Sequence, residues 1–135
     1  MTEAIGVRTD VGRIPMATAF TWRFPITHDG TPTGTPVNLT GRAYQFVIRR
    51  VRNGRVDQTA GGLLLHKESG DSEITYSNYA ATADAADVAI LSSDLPNSAA
   101  NEGEVEFALW RTDDPNDRPE AYGRGFLFQV AAQSA

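Results

Sequence analysis

The feature that most constrains this chain is the alternation of apolar and polar residues in short segments. Every second residue is aromatic or branched in the segments 20–26, 44–48, 74–76, 105–109 and 126–130. Side chains that repeat every two residues lie on one face of a strand, whereas a helical face repeats every 3.6 residues. Each segment therefore predicts a β-strand with one buried face.

Turn-forming residues separate these segments. The 12 glycines and 7 prolines fall mostly in clusters between the apolar runs. Short strands with regular turn signals are typical of an all-β sandwich or barrel. Asn53-Gly54 lies between two such runs and predicts a two-residue type I′ hairpin, because both residues tolerate positive φ. We expect an antiparallel β-sandwich of about seven or eight strands.

The side chains on the apolar phase predict one core between two sheets. That core should contain Phe20, Trp22, Phe24, Leu39, Tyr44, Phe46, Ile48, Leu64, Ile74, Ile90, Val105, Phe107, Leu109, Phe126, Phe128 and Val130.

The first 15 residues show neither period clearly, and we interpret 1–15 as an N-terminal arm before a sandwich domain at 16–132. The arm carries the isolated apolar residues Ile5, Val7, Val11 and Ile14. A terminal segment without its own core becomes ordered by packing on something else. We predict that these four residues bind a partner protein, and that a chain without residues 1–15 folds but does not assemble.

Composition excludes several classes of protein. The sequence has no cysteine, which excludes disulfides, cysteine zinc sites and iron–sulfur clusters. The formal net charge of −5 argues against a nucleic-acid partner. There is no run of about 18 apolar residues and no apolar signal segment, so we expect no membrane partner.

The residues that could support catalysis or metal binding all have simpler interpretations. His28 and His66 lie beside predicted turns without a recognisable nucleophile motif. The acidic stretch 113–117 lacks the spacing of a calcium loop and is typical of a long turn. Glu104 and Glu106 fit the solvated face of a strand better than a glycosidase pair. We predict no catalytic residue, no metal site and no cofactor.

One basic cluster surrounds the predicted hairpin. Three interpretations of it remain open: protection of a strand end by charge, an ion-paired contact with a neighbouring protein, or contact with a nucleic-acid backbone. We include its four arginines and one tryptophan on a less apolar phase among the predicted partner-binding residues, namely Arg49, Arg50, Arg52, Arg55 and Trp110.

Gly123-Arg124-Gly125 is followed by a predicted strand. A phosphate-binding loop requires a helix N-terminus at that place. The glycines are therefore interpreted as allowing a bulge or a close approach of the backbone.

Five segments also occur in a characteristic order: 20–24, 35–41 leading into 44–49, 88–95, 102–109 and 122–128. This pattern resembles small β-sandwich structural proteins of tailed bacteriophages, including the immunoglobulin-like N-terminal domain of baseplate upper proteins. In that family a segment like Pro-Val-Asn-Leu-Thr-Gly at 36–41 opens the second strand. The resemblance covers about residues 16–130. Where the family has Gly-x-Tyr on its penultimate strand, this chain has Gly103-Glu104-Val105.

The resemblance implies an immunoglobulin-like sandwich in a non-catalytic virion protein at the tail tip, the baseplate or the fibre attachment point. The implied partners are other virion proteins and further copies of the chain, and the implied location is the virion, assembled in the host cytoplasm. A capsid decoration or head-fibre protein is one alternative. A carbohydrate-binding module is another, with Trp110 and Tyr122 as the aromatic residues that would stack on sugars.

Overall fold

The computed structural model describes residues 7–8, 10–31, 33–114 and 119–130, with the backbone alone for residues 7–8. Ten strands form in this part of the chain: β1 (Val7–Arg8), β2 (Arg13–Pro15), β3 (Phe20–Pro25), β4 (Tyr44–Arg52), β5 (Arg55–Val56), β6 (Leu63–Glu68), β7 (Ile74–Ser77), β8 (Ala85–Ile90), β9 (Gly103–Arg111) and β10 (Ala121–Phe128). Within the described residues, no helix has the length and apolar character needed to cross a membrane.

The strands form two sheets. In the larger sheet, β9 lies between β10 and β4, while β5 and β6 share the other edge of β4. The smaller sheet has the order β3-β8-β7 and is antiparallel throughout. The prediction of an all-β, sandwich-like fold is therefore confirmed. The larger sheet is mixed rather than antiparallel, because β1 and β2 both run parallel to β10.

Aromatic rings from the two sheets meet in the core. Trp22 on β3 lies 4.3 Å from Phe107 on β9, and Phe24 lies 5.5 Å from Phe46 on β4, measured between ring centroids. Most predicted core residues are buried, while three pack against the core and are half-buried: Phe20, Trp22 and Leu64. Several further residues are buried that the predicted core did not include, among them Ile14, Met16, Ile26, Val37, Leu65, Val88, Leu95 and Leu127.

The last strand has the opposite phase from the one predicted. Leu127 is fully buried, Phe126 is 42% exposed, and Phe128 and Val130 are half-buried. The inward positions before Leu127 on β10 are the small residues Ala121, Gly123 and Gly125. A side chain at Gly125 would collide with the N-terminal segment: a Cβ there would lie 2.8 Å from a methyl of Val11 and 2.9 Å from one of Ile14. The larger rings of this strand therefore point away from the core.

The described part of the predicted arm belongs to the sheet of its own chain. β2 pairs with residues 126–128, the Val11 amide donates to the Arg124 carbonyl at 2.9 Å, and Ile14 is only 2% exposed. Deleting residues 1–15 would remove this buried side chain together with an edge of the sheet. We therefore no longer expect such a deletion to leave the domain intact.

The predicted hairpin is present. Asn53 and Gly54 have φ values of 53° and 77°, and Arg52 is paired with Arg55 across the turn. Positive φ at both central residues is the geometry of a type I′ turn, which matches the twist of the flanking strands.

Candidate functional site

An apolar groove opens at the edge of the sandwich, where β2 of the larger sheet and β3 of the smaller sheet lie side by side. We call it the β2–β3 groove. It has a volume of about 330 Å³ and is lined by Val11, Arg13, Ile14, Pro15, Thr18, Phe20, Thr21 and Trp22. The half-buried state of Phe20 and Trp22 follows from this position, because their rings form one wall of the groove.

The β3 strand has one unpaired edge beside this groove. It pairs with β8 over Phe20–Pro25, and no other strand in the described part of the chain pairs with it. An exposed strand edge presents a row of backbone donors and acceptors, which another extended segment can pair with. The groove therefore combines an apolar wall with a backbone template.

Arg13 is the one charged residue among those that line the groove. Its guanidinium lies over the ring of Phe128, 4.5 Å from the centroid. Within the described residues it forms no ion pair. An arginine stacked on an aromatic ring keeps its charge and its donors available for a carboxylate.

Most of the predicted basic cluster is used inside the fold. Arg49 donates to the carbonyls of Asp57 and Thr59 at 3.3 and 3.2 Å, and Arg52 forms an ion pair of 3.0 Å with Asp57. Arg50 donates to the side chain of Asn101 at 3.1 Å. The hydrogen bonds from Thr59, followed by the contact with Arg52, lower the pKa of Asp57 to about 2.

Arg55 is the member of this cluster whose side chain remains available to bind a partner. It is exposed at the hairpin, and within the described residues its side chain has no hydrogen bond or ion pair.

Trp110 and Tyr122 lie on the outer face of the larger sheet. Trp110 is opposite Gln45 on β4, and Tyr122 is opposite Ala108 on β9, so the two rings are diagonal neighbours. Both residues are half-buried. Trp110 thus lies on a different face from the β2–β3 groove, and its role in partner binding stays a prediction.

A row of alternating charges crosses the same outer face. Arg124 on β10 lies 3.8 Å from Glu104 and 3.5 Å from Glu106 on β9. The two glutamates therefore share a cation. Arg124 also donates to the Gly54 carbonyl at 3.2 Å, which fastens the hairpin against the sheet.

The two histidines are exposed and far from each other in the strand order. His28 lies in the loop after β3, where its backbone amide donates to the Thr35 carbonyl. His66 lies on β6, with its Nε2 3.2 Å from Gln45 and 3.4 Å from Glu68. Within the described residues, no three side chains of the metal-binding types converge.

No sequence pattern predicted two ionic clusters that the structure buries. Lys67 is buried and forms ion pairs with Asp94 at 2.7 Å and Glu73 at 3.0 Å. Burial alone would lower the pKa of Lys67, but the hydrogen bonds to Asp94 and Glu73 outweigh it and the pKa is raised. Lys67 occupies an inward position on β6, where alternation predicts an apolar residue.

In the second cluster, Glu120 accepts a hydrogen bond from the Tyr44 hydroxyl and forms an ion pair with Arg42 at 3.3 Å. Burial, together with the negative charge of Glu120, raises the pKa of Tyr44. Tyr44 and Glu120 are 76 residues apart, so no local pattern could have linked them.

Comparison with known proteins adds no family to this description. A scan of protein-family models finds none that matches the sequence, and a search of curated proteins finds no significant match. The function is therefore argued from the fold and its surfaces.

Proposed function

We propose that this chain is a non-catalytic structural protein of a tailed bacteriophage. In this proposal it belongs to the tail tip, the baseplate or the fibre attachment region and acts by symmetric protein–protein assembly. Its partners are other virion proteins and copies of itself, and it needs no cofactor, nucleic acid or membrane.

The strand order supports an immunoglobulin-like sandwich as part of this proposal. The variable type of that fold carries strands G, F, C and C′ in one sheet and B, E and D in the other. Here β10, β9, β4 and β6 follow the first order, and β3, β8 and β7 follow the second. The N-terminal strands lie along β10, and no strand among the described residues covers the free edge of β3.

The observation that carries the proposal is that the interior of the domain is packed and its buried charges are paired, whereas its edge offers a surface for binding. Aromatic rings fill the space between the sheets, and the buried charges of Lys67 and Glu120 are paired with charges from other segments. An apolar groove and an unpaired strand lie at the edge. Such a domain offers a partner shape and backbone hydrogen bonds, which is how symmetric assemblies are built.

Mass spectrometry of purified particles tests this proposal. The chain should be present at a fixed stoichiometry, and gold-labelled antibodies should mark the tail end of the particle. Label on the head would favour the capsid decoration or head-fibre alternative. Absence of the chain from washed particles would contradict the tail, capsid decoration and head-fibre assignments alike.

The diagonal pair of Trp110 and Tyr122 favours a second candidate, a carbohydrate-binding module. Sugar rings stack on exposed aromatic faces, and Gln45 beside Trp110 could donate to hydroxyls. Under this candidate, Trp110→Ala should abolish binding on a glycan array. Tyr79→Ala serves as a control, because Tyr79 is an exposed aromatic residue in the loop between β7 and β8. Equal glycan signals from the wild type and Trp110→Ala would exclude this candidate.

A further inference from the structure

We infer that the β2–β3 groove receives residues 1–6 of a second copy of this chain, which add a strand to the free edge of β3. The inference deepens the proposed function, on which it rests for its setting in a particle. It names both the acceptor surface and the donor segment of the symmetric assembly.

The acceptor has the two features that strand addition requires. β3 is a six-residue strand with one edge that no strand in the described part of the chain pairs with, and the groove beside it is lined by apolar side chains of Val11, Phe20 and Trp22. Backbone hydrogen bonds along an edge supply affinity, and pockets for alternate side chains supply specificity.

The position of Val7 explains why the donor comes from another copy. β1 runs parallel to β10, with Val7 opposite Ala121, whereas β2 at the groove is opposite residues 126–128. The first described strand thus begins at the end of β10 that is remote from the pairing of β2 with residues 126–128. Six extended residues reach about 20 Å. To reach the groove of the same chain, residues 1–6 would have to reverse direction completely and use nearly all of that length. The groove of a second copy requires no such reversal.

The sequence of the donor complements the groove. Glu3 and Ile5 are two residues apart, so both would lie on the same face of an added strand, about 7 Å apart. Ile5 suits the apolar wall. Glu3 suits Arg13, which is the charged residue of the groove and forms no ion pair within the described residues.

Charge reversal combined with sedimentation equilibrium tests the inference on the full chain. The wild type should self-associate, and Glu3→Arg and Arg13→Glu should each weaken the association by about five-fold, the upper range for one exposed ion pair. The double variant, with both charges exchanged, should restore it. Arg55→Glu is the matched control, since it makes the same charge change at the exposed hairpin and should leave association unchanged.

A chain lacking residues 1–6 provides the second measurement. It should sediment as a monomer with the melting temperature that the wild type shows at dilutions where it is monomeric. The β3 amides should lose the protection from hydrogen exchange that they show in the concentrated wild type. A wild type that stays monomeric at every concentration would overturn the inference. So would equal association of the deletion variant, or dissociation by Arg55→Glu alone.

The failure of this inference is distinguishable from the failure of the proposed function. Particle composition tests the proposed function, whereas sedimentation and hydrogen exchange test the binding of residues 1–6 to the groove of a second copy. A chain that is present in particles but does not self-associate would refute only the inference, and one that self-associates but is absent from particles would refute only the virion role.

Discussion

At the scale of single residues, the charged side chains of this protein mainly fasten backbone segments to one another. Asp113, after β9, accepts hydrogen bonds from the Ala43 amide at 3.0 Å and from Arg111 at 2.9 Å. The bonds from Arg111, together with that from Ala43, outweigh partial burial and lower the pKa of Asp113 to about 2. The acidic loop thus begins with a carboxylate that joins two neighbouring strands.

Asp113→Asn should reduce the acid sensitivity of the fold. The folded pKa of about 2 lies below the ordinary value of 3.8, so the stabilisation is present above pH 3.8 and is lost as the pH falls towards about 2. Melting temperatures across this range should fall less steeply for Asp113→Asn than for the wild type. Parallel curves for the two proteins would contradict the assigned role of Asp113.

Lys67→Met should destabilise the protein by about 3 kcal/mol, because it leaves the two carboxylates of Glu73 and Asp94 facing each other in a partly buried site. Urea unfolding measures the change. Arg55→Met is the control at an exposed site and should stay within about 0.5 kcal/mol of the wild type. Equal effects of the two substitutions would show that the buried ion pairs contribute nothing.

At the scale of elements, the phase of β10 determines which of two neighbouring apolar residues supports the core. Leu127→Ala should cost about 3 kcal/mol, because it leaves a cavity between the sheets, whereas Phe126→Ala should cost about 1 kcal/mol or less. Chemical denaturation of both variants checks this. The reverse order would support the phase that alternation predicted.

Gly125→Ala should loosen the N-terminal strand from β10, because the added methyl would meet Val11 and Ile14. Overpacking of this kind costs about 1–3 kcal/mol. Hydrogen exchange should be faster at the amides of β2 in the variant. Gly70→Ala is the matched control, since no atom lies within 4 Å of a Cβ there and its backbone needs no positive φ. Unchanged exchange in Gly125→Ala would refute the close approach.

At the scale of the whole molecule, the N-terminal segment is divided between folding and assembly. Deleting residues 1–15 removes the buried Ile14 and should lower the free energy of unfolding by at least about 3 kcal/mol. Deleting residues 1–6 should change the free energy of unfolding by less than about 0.5 kcal/mol, since both β1 and β2 are kept. Equal stability of the two truncated chains would mean that β2 does not support the domain.

Sequence reasoning succeeded where neighbours along the chain carry the information. Alternation located the central strands and their inward residues, such as Phe46 and Phe107, and Asn53-Gly54 located the hairpin. It failed at β10, where both phases carry apolar residues. There the N-terminal residues Val11 and Ile14 pack beside Gly125 and decide which face turns inward. They come from more than 100 residues earlier in the chain.

The sequence by itself determined the all-β class, the central strands and most of the core, because a period of two and the turn residues act over short distances. Tertiary structure alone decided where the N-terminal segment lies, which face of the last strand is buried and which charges are paired. Those outcomes depend on contacts such as Ile14 with Gly125 and Tyr44 with Glu120, between residues distant in sequence. Packing sets them, and no local pattern encodes them.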